Sequence, residues 1–207
     1  MSDHWILHEY APSGNCYKIR LTAAHLGIAI ERCAYDILRG ETRTADFLSR
    51  INANGRIPVL QRGARLLPES NAACVWLADG SALIPADPFD QADMLRWMFW
   101  EQYTHEPNVA TLRYWLDYLG RANLSAAQQA QIEGKVAAGN AALKLMDDHL
   151  VARDWFVGGA PSLADIALYA YSHVAEEGGA FSLAPYPHVV RWIGVMAALP
   201  GHVRITD

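Results

Sequence analysis

Cysteine is scarce in this chain, and the three present, Cys16, Cys33 and Cys74, lie far apart with no Cys-x-x-Cys pair. That spacing excludes a disulfide framework and a zinc knuckle, and no metal site is expected. Basic residues are few as well, 17 against 22 acidic ones, and they form no run. A net charge of -5 and a pI near 5.9 leave no electrostatic footprint for nucleic acid, so that partner class is set aside. No apolar stretch is long enough to span a bilayer, and Met1-Ser2-Asp3-His4-Trp5 lacks the basic region and long apolar core of a signal peptide. The expectation is a cytoplasmic protein without a membrane partner. Apolar residues, at 52% of 207, are plentiful, and charged ones make up 19%, the balance of a globular chain with ample core for two small domains or one large one.

The most informative stretch is Asn54-Gly55-Arg56-Ile57-Pro58-Val59-Leu60, followed by Pro68-Glu69-Ser70-Asn71. Val59 and Leu60 suit a short buried strand, and a proline, which donates nothing to a sheet, is admitted at a strand's first residue, so Pro58 opens it. The Ile57–Pro58 bond can be cis or trans; a cis bond would turn the Ile57 backbone groups outward, free to pair with an extended peptide. Ser70 falls where a helix starts, a place where free N–H groups and the helix dipole hold a carboxylate, while Glu69 suits an amine. An acid beside an anion hole fits the α-amino and α-carboxylate groups of a γ-glutamyl residue.

Around that stretch the pattern reads as strand (Trp5 to His8), helix (Cys16 to Leu26, closed by Gly27), strand (Ile28 to Tyr35), a short helix capped by Thr44, the Pro58 strand, a turn at Gly63, a brief strand over residues 65–67, and a helix after Ser70. Cys16, Ile19, Ala23 and Leu26 share one helical face. The order βαβ-α-ββ-α is that of a thioredoxin-like domain. Residues 80–88, with two prolines and a glycine, read as a linker. Beyond it only helical patterns recur: an aromatic-rich stretch from Phe89 to about Gly120 with a kink expected at Pro107, a second from Ser125 to about Val151 with Gly134 and Gly139 for close packing, a helix opened by the capping box Ser162-Leu163-Ala164-Asp165, and a last one over 189–199. The fold class is therefore α+β: a thioredoxin-like N-terminal domain (1–79), a linker (80–88) and an all-α C-terminal domain (89–207).

Gly55-Arg56-Ile57-Pro58-Val59-Leu60 with Pro68-Glu69-Ser70 resembles the glutathione-binding signature of cytosolic glutathione S-transferases, and the likeness extends over essentially the whole chain. The box around Asp165 resembles the capping motif of that family's helical domain, which makes Asp165 a folding residue. Ser13-Gly14-Asn15-Cys16-Tyr17-Lys18-Ile19-Arg20 resembles the serine-type active-site segment of the theta, zeta and phi classes, with Ser13 on the catalytic serine. Gly40-Glu41-Thr42-Arg43-Thr44 resembles a phi-class segment whose basic residues hold the glycine carboxylate of glutathione; Arg43 falls on its lysine, and Thr42 stands where that segment has histidine. The resemblance implies glutathione as co-substrate, a small electrophilic partner and a homodimer.

The chemistry asks for a donor aimed at the glutathione sulfur, because thiolate is the nucleophile. Between the first strand and first helix, Ser13 supplies a hydroxyl, Asn15 an amide, and the helix its N-terminal N–H groups. Two alternatives remain open here: Cys16, which at a helix N-terminus could form a mixed disulfide although its stripe points it to the core, and Tyr10, as donor or pocket residue. Glutathione itself would be held by Arg43, Arg56, Ile57, Pro58, Glu69 and Ser70, with Arg39 read as plain surface. The electrophile pocket is expected to use Tyr10, Tyr103, His105 and Arg113, the last three from the unusual aromatic stretch Trp97 to Pro107 and the turn after it. The expected function is a glutathione transferase; the same thiolate would also serve disulfide or peroxide reduction, and a non-catalytic interaction module is the reading of another class.

Overall fold

The computed structural model describes residues 4–207. The chain divides into two compact units, one of residues up to Ile84 together with Leu199–Asp207, the other Pro85–Ala198.

In the first unit, β1 (Trp5–Glu9), α1 (Gly14–Leu26) and β2 (Ile30–Ala34) form a parallel βαβ unit, with Leu7 opposite Arg32. Gly27, at φ 65°, closes α1 in the left-handed region, as its position after the periodic face predicts. Thr44 caps the short α2 (Ala45–Arg50) by accepting from the Phe47 N–H. The hairpin β3 (Val59–Arg62) and β4 (Arg65–Pro68) turns at Gly63, and α3 (Ser70–Leu77) follows directly. Strand order is β2-β1-β3-β4, with β1 against β3 antiparallel. Leu7, Ile19, Leu21, Phe47, Val59, Leu60 and Ala73 fill the core between sheet and helices. The four-stranded mixed sheet and its helices are the thioredoxin-like arrangement the pattern predicts.

One difference concerns the C-terminus. The sequence division leaves residues 199–207 with the helices, but they pack on α1. Tyr17 donates from its hydroxyl to the Val203 carbonyl (2.6 Å), and Arg20 to the backbone oxygens of Ile205 and Asp207. Gly201, at φ 77°, comes so near α1 that a Cβ there would stand 2.9 Å from the Ala24 carbonyl oxygen. Such non-local contacts leave no periodic trace in a nine-residue tail.

The second unit is all-helical. The stretch expected as one kinked helix is α4 (Pro88–Trp100), a π-helical turn (Glu101–His105), α5 (Glu106–Arg113) and a second π-helical turn (Tyr114–Gly120). Pro107 lacks an N–H, and the chain absorbs this by widening the turn before it: the Glu106 N–H reaches Glu101, five residues back. Ser125 caps only the short α6 (Ala126–Gln129); a tight turn separates it from α7 (Ile132–His149), where the sequence pattern runs on without a break. Gly139 is needed for packing, since a Cβ would sit 2.5 Å from the Phe181 ring, whereas Gly134 has open space. Then come α8 (Leu163–Ser172) and α9 (Pro187–Ala197), the latter beginning at a proline in its first turn, two residues earlier than expected. Asp165 caps α8 as predicted and is fully buried. It accepts from the N–H groups of Phe156 and Ser162, the Ser162 hydroxyl and the Trp192 indole. Burial pushes its carboxyl up to about 6 despite those donors.

Candidate functional site

The loop from β1 to α1 brings the first group of candidates together. Ser13 is the N-cap of α1, its side-chain oxygen accepting from the Cys16 N–H at 3.4 Å. A hydroxyl has one proton and two lone pairs, so a capping serine still has its O–H to donate. The capping and catalytic readings of Ser13 are therefore compatible. Tyr10 pins the turn with its backbone: its carbonyl accepts from the Ser13 N–H (2.9 Å) and its own N–H points at the Cys16 sulfur (3.4 Å). Cys16 has no exposed surface, and burial pushes its thiol up to about 12, outweighing the Tyr10 N–H and Ser13. A group so placed stays protonated at neutral pH. Its buried position disfavours Cys16 as a nucleophile.

Asn15, in the first turn of α1, accepts from the Ser70 hydroxyl (3.2 Å). This bond ties the N-terminal turn of α1 to that of α3, and the sequence offered no sign of it. Ser70 is buried, so its hydroxyl serves this link, and what it can offer a ligand is its place in the first turn of α3, where N–H groups have no carbonyl within their own helix. Glu69 precedes it at φ 73° and ψ 108°, the one non-glycine residue with positive φ among the described residues. Such a conformation persists only when the surroundings enforce it, and it clusters at binding sites. Here the register of Pro68 against Val59 on one side and the start of α3 on the other supply the enforcement. The Glu69 side chain is exposed.

The Ile57–Pro58 peptide is cis, and Pro58 is buried immediately before the Val59 pairing with His8. Asn52 donates to the Arg56 carbonyl (2.9 Å), and the Arg56 side chain is exposed. Arg43 donates to the Asn54 carbonyl (3.1 Å) and lies so close over Gly55 that a Cβ there would meet its guanidinium at 2.5 Å. It thus buttresses the 54–58 segment while remaining on the surface. Thr42, at the position where the phi-class segment has histidine, is buried, and Arg39 is surface as expected.

The helical-unit candidates do not form a shared lining. Tyr103 is 84% exposed, whereas His105 has no exposed surface and lies 3.1 Å from the Ser172 hydroxyl. Because that hydroxyl donates to the Leu168 carbonyl, it accepts from His105, which assigns the proton to Nε2. Arg113 is buried, ion-paired with Glu177 and set over the Tyr118 ring. Of the residues expected to share a pocket, the π-helical turn points His105 inward and Tyr103 outward, while Arg113 pairs with Glu177. Among the described residues no cluster suited to a metal ion is present, and no helix is long and apolar enough to cross a membrane.

Comparison with known proteins agrees with this arrangement. Residues 12–79 match the glutathione S-transferase N-terminal domain and residues 101–200 the glutathione S-transferase C-terminal domain. The chain belongs to the glutathione S-transferase family. It is 40% identical to a glutathione S-transferase of Pseudomonas fluorescens whose crystal structure matches it with a TM-score of 0.90, over 98% of this chain and 99% of that one. Glutathione S-transferase 2 of Anopheles gambiae is 27% identical over 97% of this chain and 93% of its own. A maleylacetoacetate isomerase of Rhizobium meliloti is also 27% identical, over 81% of this chain and 80% of its own.

Proposed function

We propose that this protein binds glutathione on its N-terminal unit and activates the thiol for attack on a small hydrophobic electrophile. The observation that carries the reading is the Ser70–Asn15 bond, which fixes two helix N-termini side by side, one bearing the Ser13 hydroxyl and the other the exposed, conformationally enforced Glu69. The γ-glutamyl amine pairs with Glu69 and its carboxylate with the first turn of α3. Ile57 offers backbone groups to the cysteinyl residue, and Arg56 and Arg43 are the cations for the glycine carboxylate. Ser13 donates its O–H to the sulfur while the α1 N-terminus favours negative charge, so the thiol proton leaves to water and the thiolate adds to the electrophile.

Reduction of a disulfide or peroxide would draw on the same thiolate. Burial of Cys16 favours the transferase over any route through an enzyme thiol. The active form is a cytoplasmic homodimer in this reading, supported by the exposed Phe89, Leu95, Phe99 and Tyr103 along α4 and the turn after it. Calorimetric titration with glutathione and with S-hexyl glutathione at neutral pH tests the proposal. Binding of both, tighter for the hexyl form, is expected. Binding of neither overturns it, and binding without turnover over a broad electrophile panel favours the non-catalytic module.

A further inference from the structure

Arg20 lies two turns along α1 from Ser13 and is only 7% exposed, yet no step of the proposed chemistry uses it. Its guanidinium is shared among three segments. Nε lies 3.2 Å from the carboxylate of Glu9, the last residue of β1, itself 1% exposed. Nη2 donates to the Ala11 carbonyl (2.6 Å) in the very loop that carries Ser13, and also to Ile205 (3.0 Å); Nη1 donates to Asp207 (2.9 Å). Arg32 of β2 pairs with the other oxygen of Glu9 and donates to the same Asp207 backbone oxygen (2.7 Å). Bonds of Tyr10, Ser13 and Arg20 anchor the loop that carries Ser13.

We propose that Arg20 is a positioning residue for the thiol-activating serine: by clamping the Ala11 carbonyl between Glu9 and the tail 203–207, it holds the Tyr10–Ser13 loop where the Ser13 hydroxyl meets the sulfur. The inference rests on the glutathione reading above. It makes the tail, through the backbone oxygens of Ile205 and Asp207, part of the apparatus that sets the thiol's acidity. Arginine is required because its planar fork reaches three backbone oxygens and a side-chain carboxylate at once; lysine keeps the charge against Glu9 but lacks the fork.

The test measures thiolate absorbance of bound glutathione against pH in the wild type, Arg20→Lys and Arg20→Ala. The wild type should show a depressed thiol pKa. Arg20→Lys should raise it by about one unit, leaving up to roughly tenfold less thiolate at pH values below both pKa values, with glutathione affinity changed less than about twofold. Turnover in that variant should recover toward wild type above the new pKa, a recovery that general loss of fold would not show. Arg20→Ala should shift further and regain the lower pKa with millimolar methylguanidinium but not methylammonium, since removing the side chain enlarges a recess of about 190 Å³ already lined by Arg20, Ala23, Ile28 and Arg32. If Arg20→Ala fails to fold, Arg20→Lys decides. A depressed thiol pKa that is unchanged in Arg20→Lys overturns the positioning role and leaves the transferase standing; a wild type that binds no glutathione overturns both.

Discussion

The two units use their polar groups in opposite ways. In the helical unit several buried polar side chains are held by their neighbours: Asp165 by four donors, Asp147 by the N–H groups of His188 and Val189, His105 through the Ser172 hydroxyl. In the N-terminal unit, Glu69 and Arg56 stand exposed beside a rigid backbone, and the satisfied groups, Ser70, Asn15 and Arg20, fix the loops that present them. Asp165 is buried and bonded for folding, whereas Glu69 is exposed and held at positive φ, the placement that the proposed glutathione site uses.

Breaking the comparison on the helical side should have the largest effect. Asp165→Ala strands the Phe156 and Ser162 N–H groups and the Trp192 indole; at about 1–3 kcal/mol for each buried orphan, the helical unit should lose several kcal/mol of stability, read by denaturant titration. Retention of stability near the wild-type value would remove Asp165 from its folding role. The same residue makes stability depend on pH. Its folded pKa, about 6, lies above the ordinary value of 3.8, so its contribution is complete below about pH 4 and is lost as pH rises through about 6. Against Asp165→Asn, which does not titrate, the wild type should therefore be relatively more stable at pH 4 than at pH 7, by a difference on the order of 3 kcal/mol.

On the recognition side, Ser13→Ala should raise the pKa of bound glutathione by about one to two units with little loss of affinity, seen in the thiolate absorbance, because a charge-assisted hydrogen bond to the sulfur is removed; loss of the α1 N-cap should cost about 0.5–2 kcal/mol of stability besides. A parallel loss of affinity would assign Ser13 to binding instead. Glu69→Ala should weaken glutathione by more than about tenfold, as a charged hydrogen bond is worth roughly 1.5–3 kcal/mol, while the fold persists because the side chain is exposed. Smallest of all, Tyr103→Ala should leave denaturation within about 0.5 kcal/mol of wild type, in contrast to His105→Ala, whose inward ring shares the turn but not the exposure.

Much of the N-terminal fold was legible because its signals are local. The Gly27 stop, the Thr44 cap and the Pro58 start each act within a few residues, and each appears in the structure; the Cys16, Ile19, Ala23, Leu26 stripe does so only in part, since α1 is buried on all sides from Cys16 to Ala23 and Leu26 is half-buried. The capping box at Ser162 was legible for the same reason. Less legible was the stretch around Pro107, where the sequence showed an obstacle to a regular helix but not that two π-helical turns would follow, and with them the inward turn of His105. Cys16 sat at a boundary between readings: its position at a helix start suggested reactivity, its stripe suggested the core, and only its burial decided.

By itself, then, the sequence determined what short-range physics specifies: the order of elements, the caps, the family signature and the residue types available for glutathione. Tertiary structure alone decided what depends on chain segments distant in sequence. Asn15 meets Ser70 across 55 residues, and Arg20 meets Ile205 across 185. These pairings leave no periodicity, because each is a single contact made when two separately formed elements pack. Periodic burial can be read along a chain, but the partner of a lone polar side chain is known only once the fold has brought it there.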